Sequence, residues 1–595
     1  MKNQTKLAKQ FVGILLLPLI FVGCASEKVA TENNTQNTPI ATSKEPTSQK
    51  EETQLEELIV TGIRGSLKSS AHVERRHRGA VDSISAQDIG KFPDAHIAES
   101  LQRVTGVSID RSFDQDSETY NAIEENDVKR VLDQPLSTFS IDVDTASYSN
   151  IRRFLQSNGR IPPKDAIRLE EMVNYFSYDY PTPENLDQPF SVSTEMAPAP
   201  WDSNKYLLQI GLKGFEPEAE ERPAANLVFL VDVSGSMQSQ NKLPLLKKSL
   251  RLLVNQMSAE DRIALVVYAG SAGLVLESTP ADEKRKILNA IDRLEAGGST
   301  HGSAGIKLAY EVAEEHMIDG GINRILIASD GDMNVGITSV DELKNLIKEK
   351  RKSDIALTTL GFGTGNYNDA IMEQLADVGN GSAAYIDSLR EAQKVLVNEL
   401  SSTLLTIAKD VKIQVEFNPQ YVAEYRLLGY ENRLLNKEDF RNDKVDAGEI
   451  GAGHTVTALY EVTLNGSPAE LVPELRYQTK SQKLDGLRAT SELAYVRLRY
   501  KEPEGTKSKE IGQPIIHNNT KQDFSESSIN LKFAASVTGF AELMRDSDYI
   551  SDFAYDDVLN IARGARGEDA HGYRSEFLSL VELVQSLSDQ RISGQ

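Results

Sequence analysis

The middle of this 595-residue chain predicts an α/β fold: a doubly wound, mostly parallel sheet, followed by a β-rich segment and a helical C-terminal region. Three observations predict it. The run Leu227-Val-Phe-Leu-Val-Asp-Val233 is apolar almost throughout, as a strand covered on both faces must be. From Asn226 to Thr406, strand-like runs alternate with runs of helical spacing. Finally, small oxygen-bearing side chains collect just after strands, where open parallel sheets hold their ligands.

The elements follow in order. Leu243, Leu246, Leu250, Leu253 and Met257 repeat at helical spacing, and Arg262-Ile-Ala-Leu-Val-Val-Tyr268 is the next strand. Helices are expected over 282–294 and 303–317, a strand over 324–329, and a helix over 340–350. A strand over 355–360, a helix over 369–376, a strand over 383–386 and a helix over 389–406 complete the alternation. Asp410-Val-Lys-Ile-Gln-Val-Glu-Phe417 alternates as an amphipathic strand, and 456–464 and 493–500 continue the β-rich segment. Residues 503–523 read as a polar loop. Helices are expected over 529–543, 555–562 and 573–587, the last with Phe577, Leu580, Val581 and Val584 on one face. Upstream, 137–144 alternates like a half-buried strand, while 146–155 and 165–176 look helical.

The beginning of the chain has a different character. Lys2, Lys6 and Lys9 precede the apolar run 11–22, and Gly23-Cys24-Ala25-Ser26 follows. The run has the length of a signal-peptide core and is too short to span a bilayer comfortably. The pattern resembles a bacterial lipoprotein signal, with Phe21 where Leu is usual. That resemblance implies a signal peptide over 1–23, lipidation of Cys24 and sorting to the outer membrane. A single lipid anchor is then the membrane attachment. Cys24 is the only cysteine, so no internal disulfide forms. Residues 24–54, rich in Thr, Ser, Asn, Gln, Lys and Glu, read as a flexible tether. Residues 55–112, through Leu55-Glu-Glu-Leu-Ile-Val-Thr-Gly-Ile-Arg64 and Ile97-Ala-Glu-Ser-Leu-Gln-Arg-Val-Thr-Gly-Val-Ser-Ile-Asp110, resemble the start of the plug of TonB-dependent receptors. Glu57-Leu-Ile-Val-Thr61 resembles a TonB box, an extended segment that adds as a strand to TonB. No barrel pattern follows, so the segment is not a transporter by itself.

The candidate site lies in the α/β part. Asp232-Val-Ser-Gly-Ser236 closes the first strand and offers one carboxylate and two hydroxyls, with Gly235 expected to let the backbone bend tightly. Gly297-Gly-Ser-Thr300 adds the Thr300 hydroxyl, and Ser329-Asp-Gly-Asp332 adds Asp330. Two carboxylates and three hydroxyls suit a hard cation such as Mg²⁺ or Mn²⁺, or Ca²⁺, and do not suit zinc. These three motifs, in this order and on these strands, resemble the metal-ion-dependent adhesion site of von Willebrand factor type A domains. The resemblance implies Ser234, Ser236 and Thr300 as direct ligands, with Asp232 and Asp330 often acting through water. It also implies a protein partner that donates an acidic side chain to the ion. Asp332 is expected to orient neighbouring backbone, and His301 to be an exposed loop residue. Residues 113–595 as a whole resemble bacterial envelope proteins with an N-terminal associated region over 113–221, a type A domain over 222–408, a β-rich region over 409–502 and a helical region over 503–595.

Other chemistries find less support. The formal net charge of −23 disfavours nucleic acid and favours cations or basic protein patches as partners. Gly361-Phe-Gly-Thr-Gly365 mimics a dinucleotide fingerprint but has the wrong spacing and comes late in the sheet. Asp142 and Asp144, two apart, are more often turn residues than metal ligands. The two serines lack a G-x-S-x-G elbow, and the eight histidines show no partner spacing, so a binding protein rather than an enzyme is expected.

Overall fold

The structure, a computed structural model, describes residues 118–593 apart from 142–143, 186–187, 218–221, 270, 299–301, 332–339, 446, 474–490, 504 and 551. The expectations for the signal peptide, Cys24, the tether and the plug-like segment lie outside the described residues, as do those for Asp142, Thr300, His301 and Asp332.

The α/β sheet is present. β5 (Ala225–Asp232) pairs in parallel with β6 (Arg262–Tyr268) on one side and with β8 (Ile322–Ser329) on the other. β9 (Ala356–Phe362) and β10 (Ala383–Ile386) continue the parallel order beyond β8. An antiparallel edge strand, β7 (Ala272–Pro280), lies beside β6. Alternate residues of β5 serve two cores. Leu227, Phe229 and Val231 pack with α3 (Leu243–Gln256) and α4 (Lys284–Asp292); Val228 and Leu230 pack with α5 (Gly302–Glu315) and α6 (Val340–Lys350). This two-sided burial is why the strand is apolar from Leu227 to Val231, each of these side chains gaining roughly 1.5–3 kcal/mol over exposure. α7 (Asp369–Val378) starts at Asn368, whose side chain accepts from the Ile371 N–H.

The single helix expected over 389–406 is broken. α8 (Leu389–Gln393) passes into a π-turn at Lys394–Asn398, α9 (Leu400–Leu404) follows, and Thr406 already begins a strand.

The two flanks share sheets rather than folding separately. From the N-terminal flank come β1 (Lys129–Arg130), β2 (Leu136–Ser140), β3 (Phe190–Ala199) and β4 (Asp202–Gly214). From beyond the α/β sheet come β11 (Thr406–Phe417), β12 (Val422–Leu428), β13 (Ile450–Gly451), β14 (Thr455–Leu464), β15 (Glu492–Lys501) and β16 (Ser508–Ile516). One sheet runs β1-β12-β14-β4-β3; the other runs β13-β11-β15-β16, with β2 also on β11. The sheets face each other across Phe139, Leu208, Ile210, Ile413, Tyr460 and Val496. Residues 503–523, expected as loop, contain β16.

The outer face of the first sheet is covered by helices. Leu207, Leu428 and Leu459 pack against α1 (Ala146–Asn158), α2 (Leu169–Asn174), α10 (Ile529–Arg545), α11 (Tyr555–Gly564) and α12 (Tyr573–Ser593). Helix, sheet and sheet thus form three layers, with the α/β sheet inserted between β4 and β11. Buried Arg324 marks that junction. From β8 it donates to Thr358 Oγ1 of β9 at 2.7 Å and to the Leu404 carbonyl at 3.3 Å, just ahead of β11. Among the described residues no helix is long and apolar enough to cross a membrane.

Candidate metal site

The carboxyl ends of β5 and β8 bring Asp232 and Asp330 to one place, both fully buried. Asp232 is held by its own loop: the Ser234 N–H donates to Oδ1 at 2.8 Å and Ser329 Oγ donates to Oδ2 at 3.0 Å. The Gly331 N–H in turn donates to Ser329 Oγ at 3.0 Å. Burial, with the Asp330 charge adding to it, pushes the Asp232 carboxyl up to about 6. The chain turns after β5 through a 3₁₀ turn, Gly235–Gln238. That turn sets Ser234 Oγ and Ser236 Oγ 3.0 Å apart, Ser234 buried and Ser236 exposed.

The third loop is stitched to the first. The Gly235 N–H donates to the Gly298 carbonyl at 3.0 Å, and the Gly297 N–H to the Val233 carbonyl at 2.7 Å. Four of the five expected site residues therefore stand on adjoining loops, and the glycines preceding Thr300 lie against the same turn. One expectation needs correction. Gly235 is not among the positive-φ residues, and a Cβ there would meet Gly298 O at an ordinary 3.6 Å. The glycine that steric demand does fix is Gly331, at φ 81°, where a Cβ would stand 2.7 Å from the Asn368 nitrogen.

Two side chains absent from the sequence reading complete the surroundings of Asp330. Lys242 Nζ lies 2.9 Å from Asp330 Oδ2, and Asn366 Nδ2 lies 3.1 Å from the same oxygen. The 363–368 loop that carries Asn366 is itself held from the N-terminal flank. The Gly365 N–H donates to Glu118 Oε1 at 3.0 Å, Glu118 pairs with Arg153, and the Thr119 N–H donates to the Tyr367 carbonyl at 3.2 Å. The last glycine of the run that mimics a dinucleotide fingerprint, Gly365, thus faces a carboxylate. Asp144 is also accounted for away from the site: it accepts from the Ala383 N–H at 2.7 Å and from Arg433 at 3.1 Å.

The donor set fits a hard divalent cation. Burial and the nearby Asp330 charge make the Asp232 carboxylate costly to ionise, a cost that a divalent ion relieves, and all donors are oxygen. Among the described residues no group of three or more His, Cys, Asp or Glu could hold a metal, so hydroxyls or water would complete the sphere of any ion bound here.

Residues 226–399 match the family model for the von Willebrand factor type A domain, residues 114–209 a model described as von Willebrand factor, and residues 402–587 that of the C-terminal region of the uncharacterized protein YfbK. YfbK of Escherichia coli is 45% identical over 476 residues, 79% of this chain and 81% of that protein. The uncharacterized protein sll0103 of Synechocystis is 28% identical over 40% of this chain and 55% of its own length. Among solved structures, a von Willebrand factor type A protein from Catenulispora acidiphila aligns with 67% of this chain and 91% of its own, at 14% identity and a TM-score of 0.36. With its type A sheet set between flanks like those of the Escherichia coli protein, this chain belongs to the YfbK family of von Willebrand factor type A domain proteins.

Proposed function

We propose that the chain is a cell-envelope binding protein of adhesion type, gripping a protein partner through a divalent ion held by Asp232, Ser234, Ser236, Thr300 and Asp330. The observation that carries this reading is the buried carboxylate pair facing two serine hydroxyls at the carboxyl ends of β5 and β8. Mg²⁺ suits the set best, with Mn²⁺ or Ca²⁺ as substitutes. The chemistry such an ion supplies is an open coordination position for a partner's carboxylate. A groove of about 560 Å³ beside the site, lined by Met237, Lys247, Lys248 and Arg251 together with Asp292 and Glu295, leaves room for a partner. The apolar run 11–22 and the following Cys24 support lipid anchoring at the outer membrane, and the 57–61 segment supports TonB as one candidate partner.

The test uses the full chain expressed with its N-terminus. Wild type is expected in the membrane fraction, with Cys24→Ser released from it. It is also expected to bind Mg²⁺ by calorimetry and to capture a partner from envelope extract in Mg²⁺ but not in chelator. Asp232→Ala should lose Mg²⁺ binding and capture while keeping the wild-type circular dichroism spectrum. Capture that survives both chelation and Asp232→Ala sinks the reading.

A further inference from the structure

Asp330 is answered by a cation that belongs to the chain. Lys242 Nζ lies 2.9 Å from Asp330 Oδ2 and 2.6 Å from Asn366 Oδ1, with the lysine side chain 6% exposed and the carboxylate 0%. Asn366 binds both partners, donating to the carboxylate and accepting from the ammonium. The path of the lysine is also kept clear. Gly363, at φ 87°, lies where any Cβ would run into Lys242 Cε, Cγ and Cδ. The backbone at Lys242 (φ −118°, ψ −114°) departs from helical values just before α3 begins. Burial, two hydrogen-bond partners and a glycine that makes room are separate features, and each serves to bring one ammonium to one site carboxylate.

We propose that Lys242 sets the metal affinity of the candidate site. The inference rests on the reading of Asp232 and Asp330 as a metal site. Its ammonium neutralises Asp330, so an arriving divalent ion meets one net negative charge rather than two. The same contact keeps the two buried carboxylates tolerable when no metal is present. Removing the ammonium restores the second negative charge and removes a like-charge neighbour of the ion. Both changes strengthen metal binding, because charges in a buried site are weakly screened. A lysine that only braced the fold has the opposite signature, since its loss loosens the site and weakens the metal.

The deciding experiment is calorimetric titration of Mg²⁺ into the full chain, wild type against Lys242→Met and Lys242→Arg. Melting temperatures are read in Mg²⁺ and in chelator. Lys242→Met is expected to bind Mg²⁺ about tenfold more tightly or better, with a larger melting-temperature gap between metal and chelator. Lys242→Arg, which keeps the charge, is expected to stay near wild type. Lys242→Gln, polar and close in length, carries the same expectation as Lys242→Met and serves if the apolar variant does not fold. Unchanged or weaker affinity in a folded, charge-free variant, with wild type still binding, overturns this inference alone. No Mg²⁺ binding by wild type or by either charge-free variant overturns it together with the metal-site reading.

Discussion

Asp232 reports on its site through its proton. Burial pushes this carboxyl up to about 6 from an ordinary 3.8. The sign follows from linkage: a raised folded-state value favours folding most below 3.8, and that contribution is lost as pH rises through about 6. Metal binding runs the other way, because the proton and the ion compete for the same oxygens. Mg²⁺ affinity measured by calorimetry should therefore fall about tenfold from pH 7 to pH 5 and change little between pH 7 and pH 8. A flat profile would show that Asp232 is already ionised without the metal. At this scale the sequence shows Asp232, Ser234, Ser236 and Asp330, because each follows a recognisable strand in a short motif. It does not show Lys242 or Asn366. Lys242 looks like the start of a surface helix, and only tertiary folding turns it back onto a carboxylate 88 residues away.

At the level of elements, strands buried on both faces are the readable ones. β5, β8 and β9 have nearly every residue buried, and their apolar runs show it. Edge strands are not readable in this way. β16 has Ile515 as its one buried residue and contains Gly512 and Pro514, the composition of a loop, yet it pairs along the length of β15. β7 leaves Leu274 and Val275 exposed, and register shifts interrupt its pairing with β6. The ties between elements are also long-range. Arg152 of α1 meets Asp387 after β10, Glu391 of α8 at 2.7 Å and Glu576 of α12 at 2.9 Å, with its own side chain 2% exposed. Replacing it by Met leaves three largely buried carboxylates facing one another. Arg152→Met should lower the free energy of unfolding by about 3–5 kcal/mol in urea titration, with Arg152→Lys recovering only part of the loss because lysine lacks the planar fork. A loss under about 1 kcal/mol in Arg152→Met would mean that water screens this cluster.

Across the whole molecule, the flanks are one body in three layers, and a linear reading divides them. The division is natural from sequence, because pairing between β4 and β14 joins residues some 250 apart, such as Ile210 and Ala458, and no local pattern records it. The C-terminal helices are part of the same construction: Phe533, Phe540 and Phe577 share a core with Phe176 of the N-terminal flank and Leu207 of β4. Deleting residues 529–595 should therefore yield aggregated or unfolded chain by size-exclusion chromatography and circular dichroism, not a trimmed, working protein. A monomeric, cooperatively melting truncation would show that the helical layer is dispensable.

The tie between Glu118, Thr119 and the 363–368 loop has a mechanical consequence. Thr119 meets that loop through one parallel bridge to Asn368 and one hydrogen bond to Tyr367, while Glu118 is held by Arg153 and the Gly365 N–H. A pull along the chain from the residues ahead of Glu118 loads these few bonds before it reaches any sheet. The loop that would yield carries Asn366, a donor to Asp330. Tension on the N-terminal side and chemistry at the carboxylates thus act on the same six-residue stretch.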